Sequence, residues 1–295
     1  MEAKVTYDIF HLVYWDWKVV LELFLGGIGV GAFLYAIGLM LHRKNDQMVE
    51  IKVGSIMGPI AMTAALSFLL AEMGHPLRIY KSVTGFNITS TMSWGGVIQV
   101  GFIIVSTVFV VMLFCNISRK VRWNVGVFAG FFALFVMIYQ GFLLSFATAR
   151  PLWNAGAVSI VSVFLSLNTG IAAVLLVTCL SKRVKEEMKQ NNYIVKLFLL
   201  VSILAQLITS IIWIVTLVHG KADFVNAFLV FNHNYGLHFW IGVVGFGLIF
   251  PFITLAICYS GTRKDKPIPV FLIEIPILVG GFIFRYILVM AGQLA

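Results

Sequence analysis

Four ionisable side chains stand inside otherwise apolar stretches of this chain: Glu22, Glu72, Glu274 and Arg285. A charge placed in hydrocarbon costs about 2.5 to 3.5 kcal/mol on insertion scales, which makes each of the four a candidate for function by default. Glu22, Glu72 and Arg285 fall at one depth near one end of their stretches, and Glu274 falls near the other end. Tyr139 and Gln140 share the depth of the first three. A carboxylate can accept or give up a proton and a phenol can donate a hydrogen bond, so the set has the parts for proton transfer to a bound polar group. A plainer reading stands beside it. Glu22 or Glu72 would pair with Arg285 to hold helices together, and Tyr139 would be an interfacial anchor, a common role for tyrosine at that depth.

The elements that must position these residues are set by composition. Of 295 residues, 60% are hydrophobic and 11% charged, with a mean hydropathy of +0.98, whereas a soluble domain is about a quarter charged. A helix needs about 20 apolar residues to span hydrocarbon. Windows of that kind fall near 19–41, 53–73, 94–117, 122–145, 154–180, 194–218, 237–260 and 270–291. The expected fold is all-α: one integral membrane domain over 1–295 with eight transmembrane helices. Residues 1–18 form an interfacial segment, with Tyr14, Trp15 and Trp17 at headgroup level. Acids and aromatics stand there in place of a basic n-region and no small-residue cleavage site follows, so the first window is not read as a cleaved signal. FVNAFLVF, between the sixth and seventh windows, is expected to dip into the interface.

The net charge of +9 could suggest nucleic acid, but its placement points to a membrane. Fourteen of the 21 lysines and arginines lie in the connections after windows 1, 3, 5 and 7, and six on the opposite face. The positive-inside rule then puts both termini outside the cytoplasm and the Glu22, Tyr139 and Arg285 level near the outer face. Five of six histidines, His11, His75, His219, His233 and His238, fall on that side, with His42 inside. None is centred in a window, which leaves His219 with His238 as the one outer pair for a haem and makes haem ligation a poor reading. Cys115, Cys179 and Cys258 end windows without CxxC spacing, so no iron–sulfur cluster or other metal site is expected in this chain. GGIGVG (Gly26 to Gly31) is not a nucleotide loop, since no strand precedes it. It reads as a close-packing surface that turns Glu22 into the bundle.

A pocket near the outer face, lined by Trp17 and Tyr139 with apolar walls, suits a quinone head group, whose two carbonyls need hydrogen-bond donors and whose reduction needs two protons. The outer connection near 74–93 is long enough to dock a partner, with His75, Arg78 and Arg150 placed to meet acidic groups.

The chain resembles the NrfD-like membrane subunits of polysulfide reductase and related molybdenum oxidoreductases. WDWKVVLELFLGGIGVGAF at the first helix, LLAEMGHPLRIY ending the second and TSTMSWG entering the third carry the likeness. IYQGFLL, RPLWNAG, FWIGVVGFGLIFP and GGFIFRYILVMAGQ continue it to the C-terminus. The resemblance implies an eight-helix bundle with no resident cofactor and exchangeable menaquinone or ubiquinone at an outer-side site. It also implies a ferredoxin-like iron–sulfur subunit docked outside, with a molybdopterin catalytic subunit beyond. By position, Tyr139 looks like the family's quinone-binding tyrosine and Glu22 like a second ligand. Glu72 resembles an acid on a proton route, tuned with Arg285. Lys18, four residues before Glu22, is placed to hold it ionised.

The expected function is quinol oxidation or quinone reduction for a complex in the cytoplasmic membrane, with partners on the extracytoplasmic face, membrane lipid around it and no nucleic acid. One rival is a secondary transporter or ion-coupled protein, although the midplane polar residues Asn168 and Gln206 are neutral. The other is a pure anchor without quinone chemistry.

Overall fold

A polypeptide in hydrocarbon has no water to satisfy its N–H and C=O groups, so each apolar segment must close its hydrogen bonds within itself as a helix. The structure, a computed structural model, describes residues 15–42, 49–72, 87–115, 117–146, 150–153, 156–179, 184–259 and 271–294, of which 184–194 and 258–259 are described by backbone alone. His11, His75, Arg78 and most of the basic connections lie outside the described residues.

The described residues are helical, with no strand among them. In order along the sequence the elements are α1 (Trp17–His42), α2 (Val49–Glu72), α3 (Thr91–Phe114), α4 (Arg119–Ser145), α5 (Ala157–Cys179) and α6 (Val184–Val218). Then come α7 (Ala222–Leu237), a π-helical segment (His238–Ile249), α8 (Phe250–Tyr259) and α9 (Phe271–Leu294). Among the described residues eight helical stretches are long and apolar enough to cross a membrane, as the hydropathy windows predict.

The seventh stretch differs from expectation. It runs over Ala222–Ile257, so FVNAFLVF lies inside a regular helix that begins well before residue 237. At 36 residues it is roughly 50 Å long, against a hydrocarbon core of about 30 Å. Its first turns carry Asp223, Asn226, Asn232, His233 and Asn234, and that polarity hid the helix from a hydropathy reading. His238 consequently lies inside the seventh helical stretch, with an exposed side chain.

α1 sits at the centre: 72% of its membrane window is buried, against 28% for α3. Glycines on two faces make this position possible. One face meets α2, where a Cβ on Gly29 would come within 2.8 Å of the Gly58 carbonyl oxygen. The other meets α5, where the backbones of Gly31 and Gly170 touch. Between hydrocarbon-solvated helices such close packing replaces the hydrophobic effect as the adhesive. Phe33 fills the space toward α3 with edge-on contacts to Phe102 and Phe109 at 5.4 and 5.7 Å. Gly247 of the π-helical segment lies against Gly280 of α9. Trp213 of α6 meets Phe231, Phe239 and Phe284 edge-on at 5.6 to 5.9 Å, tying α6, the seventh stretch and α9 together. Asn168 of α5 donates to Gln206 Oε1 of α6 at 2.6 Å and accepts from Ser202 Oγ, so the midplane polar residues are a helix-to-helix clasp.

Candidate functional site

Glu22 lies two turns into α1, on the side that Gly26 keeps open, and it is 3% exposed. Its Oε1 accepts a hydrogen bond from Gln99 Nε2 of α3 at 3.2 Å. Arg285 of α9 reaches the same level from the opposite side and is 1% exposed. Its Nη1 donates to Ser162 Oγ at 3.3 Å and its Nη2 to Ser166 Oγ at 3.0 Å. The two serines, four residues apart, share one face of α5 and form a cradle for the guanidinium. Beneath it runs Gly27, where a Cβ would stand 3.5 Å from Nη2.

Among the described residues no ion pair of 4.0 Å or less joins Glu22 to Arg285, although the two charges act on one another electrostatically. The helix-stapling alternative is therefore corrected. Arg285 is held by neutral hydroxyls, and the acid and the guanidinium face each other as separate groups.

Tyr139 and Gln140 come from α4. Tyr139 is half-buried, its phenol packed over Gly95 of α3, where a Cβ would overlap the ring and hydroxyl. The phenol lies within the electrostatic reach of Glu22. Gln140 is fully buried, with its amide against Gly26. Among the described residues neither its Nε2 nor its Oε1 has a hydrogen-bond partner. Leaving a buried polar atom unpaired costs about 1 to 3 kcal/mol, so this amide is an energetic anomaly in the core. Tyr139 and Gln140 bring a hydroxyl and an amide to the level of Glu22.

The rim above is a separate arrangement. Lys18 Nζ pairs with Glu72 Oε2 at 3.0 Å and with Asp16 Oδ2 at 3.5 Å. Two expectations fail here: Lys18 does not serve Glu22, and Glu72 does not reach Arg285. The cause is direction. In the first turn of α1 a long lysine side chain extends toward the polar boundary, where the end of α2 brings Glu72, while Glu22 turns into the bundle. The Lys18 and Glu72 side chains are 30% and 22% exposed, a setting in which such a pair contributes about 1 kcal/mol or less. A double-mutant cycle with Lys18→Met and Glu72→Gln should give a coupling energy within that bound, read from thermal unfolding in detergent.

Trp17 is 51% exposed and packs edge-on to Phe68 at 6.1 Å, on the outside of the bundle and away from Glu22. Arg150 Nη1 donates to the Gln293 carbonyl at 2.5 Å, near the end of α9. The Gln293 amide in turn exchanges two hydrogen bonds with the backbone of Trp15, at 2.6 and 3.0 Å. Trp15 stacks on Trp153 with ring centroids 5.0 Å apart. Arg150 thus belongs to a clasp that ties the start of α1 to the end of α9. Glu274 is 3% exposed in the first turn of α9, at the far end of the bundle from Glu22.

Three residues of the cluster went unseen in the sequence: Gln99, Ser162 and Ser166. The serines carried a signal, since Ser159, Ser162, Ser166 and Thr169 recur at three- and four-residue spacing along one face of α5. Gln99 is the one amide of α3, and its partner becomes evident only once α3 is laid beside α1. Among the described residues no group of three metal-ligating side chains comes together.

Eight apolar helices that carry a charged, hydrogen-bonded cluster in their interior define a multi-pass membrane protein with a polar site at one end of the bundle. The sequence model described as "Polysulphide reductase, NrfD" matches residues 7–295, and the chain belongs to that family. Three relatives accompany it. The protein is 24% identical over 305 residues to the C subunit of polysulfide reductase from Wolinella succinogenes, with 96% of each covered. It is 24% identical over 323 residues to the protein NrfD homolog of Haemophilus influenzae, with 100% of the present sequence and 98% of the relative covered. It is likewise 24% identical over 315 residues to protein NrfD of Escherichia coli, with 97% and 96% covered.

Proposed function

We propose that this protein is the membrane subunit of a respiratory oxidoreductase complex. In this reading it exchanges electrons and protons with menaquinone or ubiquinone at the Glu22 end of the bundle. The observation that carries the reading is the fully buried Gln140 amide, orphaned at both atoms beside Glu22 and Tyr139. Such a group calls for a polar ligand at the depth where a quinone head group, anchored by its apolar tail, would enter from the bilayer.

When bound, the quinone supplies the two-electron, two-proton chemistry, and the protein's residues bind, orient and move protons. Tyr139 donates a hydrogen bond to one oxygen and Gln140 holds the other. Glu22 takes or gives the proton at its carboxylate, steadied by Gln99. Arg285, fixed by Ser162 and Ser166, sets a positive charge at the same level of the bundle. The Lys18–Glu72 pair at the rim stands where protons pass between this end of the bundle and water. Electrons go to or come from a ferredoxin-like iron–sulfur subunit, with a molybdopterin catalytic subunit beyond it. The partner docks on this same end, through the connection containing His75 and Arg78 and the surface around Arg150. The placement of basic residues supports a cytoplasmic membrane location with this end outside.

The test is quinol-dependent electron transfer by the purified complex, with its partner subunits identified by mass spectrometry. Tyr139→Phe removes one hydrogen bond and leaves the ring over Gly95, and it is expected to lower kcat/KM for quinol about tenfold. Unchanged kinetics in an intact complex would remove Tyr139 from the site.

A further inference from the structure

The stretch TSTMSWG (Thr89 to Gly95) opens α3, and its polar residues lock the start of the helix. Ser90 is the N-cap, its hydroxyl accepting from the Ser93 amide at 3.4 Å. The Trp94 indole donates to the Ile88 carbonyl at 2.9 Å, and the Asn87 N–H donates to Ser93 Oγ at 3.5 Å. These bonds fix the height and rotation at which the first turns of α3 meet the bundle. Gly95 and Gln99, both buried and four residues apart, then share one face. Gln99 holds Glu22 and Gly95 meets Tyr139, so consecutive turns of one helix position the acid and the phenol.

Glycine weakens a helix relative to alanine, so a buried one needs a reason. At Gly95 the reason is the phenol: the first three atoms that a Cβ would meet are Tyr139 Cζ, its hydroxyl oxygen and its Cε1. The far end of the ring, hydroxyl included, occupies the room of the missing side chain. The same device recurs further along α3. A Cβ on Gly101 would stand 2.6 Å from Phe132 Cε1 of α4, and there the seated ring carries no hydroxyl. The two pairs share their packing and differ in their chemistry.

We propose, on the quinone reading of the site, that Gly95 is the positioning residue for the Tyr139 hydroxyl and so sets the hydrogen bond to the quinone oxygen. An O–H···O bond is made at about 2.5 to 3.0 Å, and a side chain at position 95 would force the ring to withdraw from α3 far enough to break it. Tyr139 is half-buried, so the ring has room to move and the helices need not part. Gly95→Ala then leaves a folded protein whose phenol is present but misplaced.

Two measurements test it, on the purified full chain and on its complex. In the first, a fluorotyrosine is placed at position 139 and its fluorine resonance is recorded without quinone. Gly95→Ala should shift that resonance, and Gly101→Ala should leave it in place. An unmoved resonance in Gly95→Ala overturns the proposal whatever the kinetics show. In the second, quinol-dependent electron transfer is compared in Gly95→Ala, Tyr139→Phe and the double variant. Gly95→Ala should lower kcat/KM about tenfold, as Tyr139→Phe does. The double variant should be no slower than either, because one hydroxyl cannot be lost twice. Gly101→Ala, which strains an aromatic ring without a hydroxyl, should keep wild-type kinetics. A double variant about 100-fold slower, the product of two independent losses, would mean that Gly95 acts by another route and would overturn the proposal. Wild-type kinetics in Gly95→Ala while Tyr139→Phe is impaired would do the same. A shifted resonance with wild-type turnover in both single variants removes Tyr139 from the quinone site and the proposal with it, a result distinct from an unmoved resonance. Where Gly95→Ala fails to accumulate, adding Tyr139→Leu, which takes the ring away, should restore the yield. A yield that stays lost places the clash elsewhere and overturns the proposal.

Discussion

Complexes carrying Glu22→Gln are expected to assemble with their partner subunits and to turn over quinol at least about 100-fold more slowly than wild type. The substitution keeps shape and acceptor: a glutamine Oε1 can still take the hydrogen bond that Gln99 donates at 3.2 Å. What disappears is the only group at that position able to exchange a proton. Positioned acids and bases contribute about 10² to 10⁴ in rate, so kcat should carry the loss while KM changes little. The measurement is stopped-flow reduction of the complex by quinol, with subunit content checked by mass spectrometry. Full turnover by an intact Glu22→Gln complex would mean that the proton travels by another group. The proposal would then have to be rebuilt around Tyr139 and the Lys18–Glu72 rim.

The second large effect concerns stability, at a position that touches no proposed ligand. Gly170→Val should prevent the folded protein from accumulating. A Cβ at Gly170 would overlap the backbone of Gly31 and Ala32, and backbone on the central helix cannot move aside as a flexible side chain would. α1 and α5 would have to separate, opening the packing between Gly27 and the serine cradle of Arg285. Overpacking ordinarily costs about 1 to 3 kcal/mol. Here rigid main chain stands in the way, and the expected cost is at least the upper part of that range, enough to unfold a marginally stable protein. Gly130→Ala is the control, because its added methyl would lie 3.5 Å from Ile37 Cγ2, an ordinary contact. Yield and thermal unfolding in detergent should separate the two: little extractable Gly170→Val protein, and Gly130→Ala close to wild type.

The membrane fold was legible because hydrocarbon imposes a simple rule on composition. An apolar run about 20 residues long must be a helix, and eight such runs are visible without any contact being known. The polar cluster was partly legible for a related reason. Glu22 and Arg285 are anomalous in apolar surroundings and draw attention by their type alone. Partner choice was not legible. Which acid faces which cation depends on the rotation of α1 and on where α2 ends, so the four-residue spacing points Lys18 to Glu22 although it meets Glu72. Gln99 and Ser166 are unremarkable until α3 and α5 are placed against α1. The early start of the seventh stretch was obscured because polar residues on its exposed face lowered the local hydropathy, while Ala227 and Phe231 were turned inward.

The π-helical segment has a consequence for that same helix. Ala227, Phe231, Tyr235, Phe239, Val243, Gly247, Pro251 and Leu255 follow one another at intervals of four, and all are buried except Tyr235, which is partly so. In a pure α-helix of about 3.6 residues per turn such a row would wind steadily around the cylinder and soon leave the side facing α6 and α9. The wider turn of i→i+5 bonding slows that drift. Residue count within His238–Ile249 therefore acts as a phase setting, deciding whether Phe231 and Tyr235 at one end and Leu255 at the other look toward the same neighbours.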